Sequence, residues 1–342
     1  IGDMSMYGGT AGGNASFNTA MGQRTLYSIT TGQYNIAIGH QALYSMKTST
    51  GNTSLGAYAG YRQLESAGTF IGYQTGYYAT GSSNTFVGFE AGKGGTTSAP
   101  FSSGQQNTAV GADALKGLTT GGYNTAIGKQ AGQAITTANY NTFVGAWSGD
   151  GTTADGYNTA VGFQSFSATS DANFNVVVGH QAGMSITSGD ANTLMGAYVG
   201  ASITTGLENV LMGRQTGTAI TSGNENSLLG TYSGYALTIG RGNTTLGYEA
   251  LKTEDVGNYT TAIGHRALFN QNSDSDNENT YNVGIGAGAG YFNVTGRFNT
   301  IIGSEAGRGT SGNSYSNATV VGYRAGYSLT TGGVTAFGYE AA

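Results

Sequence analysis

Polar and apolar positions recur along this chain on a period that is mostly 17 residues. The marker is an apolar residue followed by Gly. It recurs at Gly22, Gly39, Gly56, Gly72, Gly88, Gly111, Gly128, Gly145, Gly162, Gly179, Gly196, Gly213, Gly230, Gly247, Gly264, Gly286, Gly303, Gly322 and Gly338. Gly8, in Met6-Tyr7-Gly8, reads as a degenerate first copy. The nine anchors from Gly128 to Gly264 follow one another at 17 residues without a break. Asn124-Thr125-Ala126-Ile127-Gly128-Lys129-Gln130-Ala131-Gly132 is a complete copy of the motif. Thr125 and Ile127 share one face of an extended segment and Ala126 takes the other. The residue before the anchor is apolar in every copy, which predicts a core column. The residue between it and Thr is mostly apolar too, as at Phe86, Phe143 and Leu194. Both faces of a short strand are therefore expected to be covered.

Repeats of this length, with strand-like pieces and Gly turns, predict one coil of a solenoid per repeat. Thr119-Thr120-Gly121 and Thr204-Thr205-Gly206 read as a second turn in each coil. The fold expected is an all-β parallel β-solenoid, a flattened β-roll with two short strands per coil and about 20 coils in a continuous array over residues 1–342. Stacked at strand spacing, such an array is roughly 95 Å long. Six-residue β-helix periodicity is excluded. Tyr27, Lys116, Gln133 and Asp150 stand where it requires aliphatic residues. Asn four residues before the anchor, present in 15 of 20 copies, is placed to satisfy turn backbone groups and to form a ladder between coils.

Composition removes several alternatives. Of 342 residues, 61 are Gly and only 9% are charged, against about 7% Gly and 25% charge in ordinary domains. Helices are disfavoured by that Gly content. A disordered linker is disfavoured by 38% hydrophobic residues, 23 Tyr and 13 Phe. No apolar run is long enough for a transmembrane helix, and the absence of Cys removes disulfides and thiolate zinc sites. A net charge of −5 speaks against a nucleic-acid partner. A thin roll with a second apolar face gains by burying that face against copies of itself, so a homo-oligomer is expected.

The motif Asn-Thr-Ala-Ile-Gly at 124–128, with Ala131-Gly132 following, resembles the head repeats of trimeric autotransporter adhesins, whose motif is close to Asn-Ser-Val-Ala-Ile-Gly. It resembles still more the longer repeats of phage tail fibres and related bacterial surface fibres. The resemblance covers essentially the whole chain. It implies a parallel β-roll, a homotrimer, an extracellular place on a virion tail fibre or a bacterial cell surface, and a role in attachment. The coil is longer than in the autotransporter family, and a heptad stalk, a membrane anchor and a chaperone domain are lacking. Both ends fall inside repeats, so a segment of a longer fibre is expected, acting as a rigid spacer and receptor-contacting surface. The alternative is an adhesin head that itself binds glycan or matrix. A cell-surface glycan or protein receptor is the partner either reading implies.

Candidate contacts follow from the repeat columns. Tyr123, Tyr140, Tyr157 and Phe174 occupy one column in four consecutive coils, and Tyr27, Tyr44, Tyr61 and Tyr77 another. Such rows can stack on sugars or, as the commoner outcome, on each other. Two coils carry insertions, in loops 89–107 and 265–282. Asp274, Asp276 and Glu278 in the second offer hard oxygen ligands for calcium without the spacing of a calcium-binding loop, and a solvated acidic loop is the preferred reading. His40, His180 and His265 share one repeat position many coils apart, which opposes a metal site. No catalytic constellation is present, so no enzyme and no cofactor are expected. Gly284-Ile285-Gly286-Ala287-Gly288-Ala289-Gly290 matches a dinucleotide pattern only through its abundant Gly. Regular Thr columns raise ice binding as a remote alternative, but paired Thr columns on one flat strand are missing.

Overall fold

The computed structural model describes residues 2–7, 14–95 and 101–342. The chain forms two compact units, Ile1–Asn173 and Phe174–Ala342, and the boundary falls inside the unbroken run of 17-residue repeats. Each unit is a parallel β-solenoid. The first holds nine three-residue strands, from β1 (Thr19–Met21) to β9 (Thr159–Val161). The second holds ten, from β10 (Val176–Val178) to β19 (Thr335–Phe337). Together they make about 18 turns, and no helix occurs among the described residues. Within each unit every strand pairs in parallel with the next in sequence. β7 (Thr125–Ile127) meets β8 (Thr142–Val144) with Ala126 opposite Phe143 and Ile127 opposite Val144.

There is one strand per coil, where two were expected. The reason is backbone conformation. In each coil the residues two and four after the anchor, and five before it, have φ near +55°, as at Gln130, Leu43 and Tyr140. These left-handed residues break extended backbone on both sides of a seven-residue stretch, such as 133–139, that is turn and bend without a strand. The turns are nevertheless held around the coil by backbone bonds to neighbouring coils, such as Leu115 N to Ala131 O at 3.1 Å and Gln130 N to Ala112 O at 2.8 Å.

The same φ pattern resets the start of the repeat. Met4 and Met6 have φ of +54°, two and four residues after Gly2. A Cβ on Gly2 would strike the Gly22 carbonyl, as one on most later anchors strikes the next. Gly2 therefore occupies the first anchor place. Gly8 lies outside the described residues.

The core is not the column the sequence points to. In every strand but β1, where Ala20 is half-buried, the middle residue is inside: Ala37, Phe70, Phe86, Ala126, Phe143, Leu194 and Leu211 are fully buried. The apolar residue before the anchor faces outward and is buried in no strand. Alternation fixes which residues share a face but not which face is inside. Two further columns complete the core: a small residue three after the anchor, such as Ala42, Ala131 or Ala182, and an aliphatic seven after it, such as Ile29, Ile135, Ile186, Ile203 and Ile220.

Core volume is shared between two positions. Where the strand centre is large, as at Phe143 or Leu211, the residue four after the anchor is Gly, here Gly149 and Gly217. Where the centre is Ala109 or Ala262, that residue is Leu115 or Leu268. A Cβ on Gly149 would come within 2.5 Å of the Phe143 ring. In most coils one cross-section thus holds one large side chain, supplied from either place, whereas the coils with Ser54 and Gly60, Ala126 and Gly132, and Gly284 and Gly290 hold one at neither. Phe143→Ala is expected to cost about 3–5 kcal/mol by cavity formation. Adding Gly149→Leu should recover more than half of it, because Leu43 and Leu115 adopt the same left-handed backbone at that position. Denaturant unfolding of the single and double variants checks this, and Gly149→Leu alone should destabilise.

The Asn column is the second interior device. Asn124 accepts at Oδ1 from Asn141 N at 3.0 Å and Asn141 Nδ2 at 3.1 Å, while its own Nδ2 donates to Ala138 O at 2.8 Å. The pattern repeats through Asn192, Asn209, Asn226 and Asn243 in the second unit. These side chains are buried, so the ladder satisfies donors and acceptors that water cannot reach.

Candidate interaction surfaces

The outward strand face carries the feature with most bearing on function. Met21, Ile127 and Leu246 are 50%, 41% and 51% exposed, and every strand of both units presents an apolar side chain at this position. Thr lies beside it on the same face in most strands, with Ile36, Val176, Val210 and Val283 replacing Thr in four of them and Ser227 in a fifth. Adjacent coils are about 4.8 Å apart, so the exposed side chains form a continuous stripe within each unit. Isolated exposed apolar residues are ordinary, but a contiguous stripe marks a surface that meets a partner.

The predicted aromatic rows form, and they stack on themselves. Tyr27 and Tyr44 lie 4.9 Å apart at 3°, and Tyr44 to Tyr61 and Tyr61 to Tyr77 are 5.0 and 4.7 Å. Burial raises the hydroxyl pKa of Tyr61 and Tyr77 above the usual range. Tyr123 stacks on Tyr140 at 4.9 Å and Tyr140 on Tyr157 at 5.1 Å, all three rings remaining exposed to water. Phe174, the next residue of that column, opens the second unit and is also exposed. A sugar stacks on a ring face, and rings inside a ladder already lend theirs to neighbours. Edges and hydroxyls are what these rows offer.

Among the described residues neither insertion gathers metal ligands. Glu278 pairs with Arg297 at 2.6 Å and accepts from Asp274 N at 3.2 Å, while Asp274 and Asp276 point to solvent. Among the described residues no group of three His, Cys, Asp or Glu is placed to hold a metal ion. The three His stand apart, each beside a Tyr: His40 by Tyr58, His180 by Tyr198 and His265 by Tyr248. In the first insertion, residues 96–100 lie outside the described residues. Phe101 at its end stacks on Tyr78, with the Arg62 guanidinium 4.8 Å from its ring.

Two features escape the sequence reading. Glu254 is fully buried in the core column that holds Ile in five other coils. Burial raises its carboxyl above the usual range, and Gly257 N at 2.7 Å and Ser273 N at 3.2 Å donate to Oε1. It thereby ties the second inserted loop to the solenoid. The other is a set of shared carboxylates. Glu249 meets Lys252 at 2.6 Å and Arg266 at 2.7 Å, and Glu305 meets Arg308 at 3.3 Å and Arg324 at 2.7 Å. Burial acts to raise the Glu249 carboxyl, but its hydrogen bonds to Lys252 and Arg266 outweigh that and hold it below the usual range. A charge in the aliphatic column, and acid–base pairs three residues apart, are the signals that would have located both.

Among the described residues no helix is long and apolar enough to cross a membrane. No protein-family model, curated protein or solved structure matches the chain.

Proposed function

We propose that the chain is a structural segment of a trimeric attachment fibre, of the kind its repeats resemble in phage tail fibres. Three copies pack through the outward apolar stripe, and the trimer acts as an extracellular spacer that carries a receptor-contacting surface. The observation that supports this is the stripe itself. An apolar residue that no copy replaces by a polar one, yet that no coil buries, is accounted for by a partner of the same periodicity, and a second copy has that periodicity by construction. The mechanism is geometric, because three chains present any weak contact in triplicate. A second reading, a surface adhesin head that itself binds glycan, is favoured by a groove beside Gly288 described below.

Light scattering tests the assembly. The expected mass is three times the 34.7 kDa chain. Ile127→Asp with Leu246→Asp places one charge in the stripe of each unit and should yield monomers with an unchanged circular-dichroism spectrum. A native chain that runs as a monodisperse monomer or dimer overturns the trimer.

A further inference from the structure

The position two after the anchor carries a long side chain in most coils, including Gln130, Gln164, Gln215, Glu249 and Arg266. In one coil of the second unit it is Gly288, preceded by Ala287. The missing side chains open a groove of about 340 Å³ between the coils on either side. Those flanking coils are two steps apart, about 9.6 Å at strand spacing, which admits one sugar ring. Arg266 stands on one wall and Arg308 on the other, with Tyr291 between them.

The charge around the groove is unbalanced. Glu249 is shared by Lys252 and Arg266, and Glu305, which itself lines the groove, by Arg308 and Arg324, with Glu340 3.9 Å from Arg324, so four cations face three carboxylates. This occurs in a chain of net charge −5 with only 13 Lys and Arg. Arg266 uses Nε for Glu249 and is 42% exposed, which leaves the Nη edge of its guanidinium for a ligand. A planar guanidinium edge matches a carboxylate by paired hydrogen bonds. Ser304 and Tyr291 supply hydroxyls of the kind that bond sugar hydroxyls. No residue of the apolar stripe lines the groove.

We propose that the groove beside Gly288 binds a carboxylated sugar residue of a surface glycan, its carboxylate held by Arg266 and Arg308. This rests on the reading of the chain as an attachment segment and names the chemistry of the receptor.

The test is titration of the full chain with methyl glucuronoside, followed by saturation-transfer NMR, with methyl glucoside as the neutral control. Saturation transfer is expected for the glucuronoside, and binding at least about tenfold weaker for the glucoside. Gly288→Gln fills the groove with the residue other coils carry. Its backbone, at φ +65°, matches that of Gln130 at +57°, and an added Cβ would meet only Glu305 Cγ at 3.9 Å. This variant should lose binding while melting where the native chain melts. Arg266→Gln should weaken the glucuronoside and leave the glucoside signal unchanged. No saturation of the glucuronoside by the native chain, or undiminished binding by Gly288→Gln, overturns the proposal. A trimer that ignores glucuronoside removes the groove assignment alone, whereas a monomer that binds it through Gly288 removes the trimer and supports the groove.

Discussion

Gly128→Ala is expected to unfold the first unit at room temperature, and thermal or denaturant melting followed by circular dichroism will show it. Gly128 has φ of +137°, in a region that only Gly occupies without strain. A Cβ there would lie 2.5 Å from the Gly145 carbonyl oxygen and 2.6 Å from its carbon. That neighbour is backbone and cannot rotate away. It is fixed in turn by Gly145 N donating to Ile127 O at 2.7 Å. Relief would require two coils to part and sever bonds on both sides. Conformational strain of about 1–3 kcal/mol adds to the clash, and the sum should exceed about 5 kcal/mol, comparable to the whole stability of a small folded unit. Gly51→Ala is the control. Gly51 also has positive φ, at +71°, but nothing lies within 4 Å of its added Cβ. It should cost only about 1 kcal/mol, as for a single left-handed residue. A native-like melt for Gly128→Ala would mean that the anchor column is not what sets coil spacing.

How much of this was legible in the sequence depends on the kind of signal. The period, the parallel stacking and the Asn ladder follow from spacing alone, because a repeat that returns each residue to the same corner stacks like upon like. The inside of the coil did not follow. Ile127 looks like core because its column never turns polar, and Ala126 looks like filler because it alternates with Phe and Leu. The structure reverses them. Ala109 and Phe143 differ because the position four after the anchor compensates in volume, and the Ile127 column stays apolar although water reaches it. The compensation between Phe143 and Gly149, or Ala109 and Leu115, was readable in the repeats and would have identified the core. The second strand was overpredicted for another reason. Left-handed conformation at Tyr140, Gln130 and Leu43 has no compositional signal, since these residue types rarely adopt it. Their positions are imposed by bonds between coils, which a single coil's sequence does not display. The groove beside Gly288 was hidden in the same segment that resembled a nucleotide loop. Its meaning lies in the side chains absent there and in the arginines one coil away on either side.

Asn209→Ala is expected to destabilise the second unit by about 2–6 kcal/mol, at about 1–3 kcal/mol for each of two buried groups left without a partner. Asn209 Oδ1 accepts from Asn226 N at 3.1 Å and Asn226 Nδ2 at 3.0 Å, and its Nδ2 donates to Gly223 O at 2.9 Å. Truncation strands Asn226 N and Gly223 O where water is excluded, while Asn226 Nδ2 keeps its bond to Gly240 O at 2.9 Å. Asn192 Oδ1 suffers less, because Asn209 N still donates to it at 3.1 Å. Asn209→Asp keeps the shape and separates the causes. It still accepts from Asn226, but it brings a carboxylate against Asn192 Oδ1 and Gly223 O, which both need donors. At neutral pH it should be at least as damaging as Ala. Its neutral form is favoured by burial and by those two acceptors, so its carboxyl titrates higher in the folded chain than in the unfolded one. Stability must then rise as pH is lowered toward about 4, where the folded carboxyl is protonated, the unfolded one about half so, and little ionisation cost remains. Asn209→Ala should show no such recovery. Urea unfolding of both variants at pH 4 and pH 7 distinguishes them. Equal losses at both pH values for Asn209→Asp would show that the ladder's cost lies in shape and not in its hydrogen bonds.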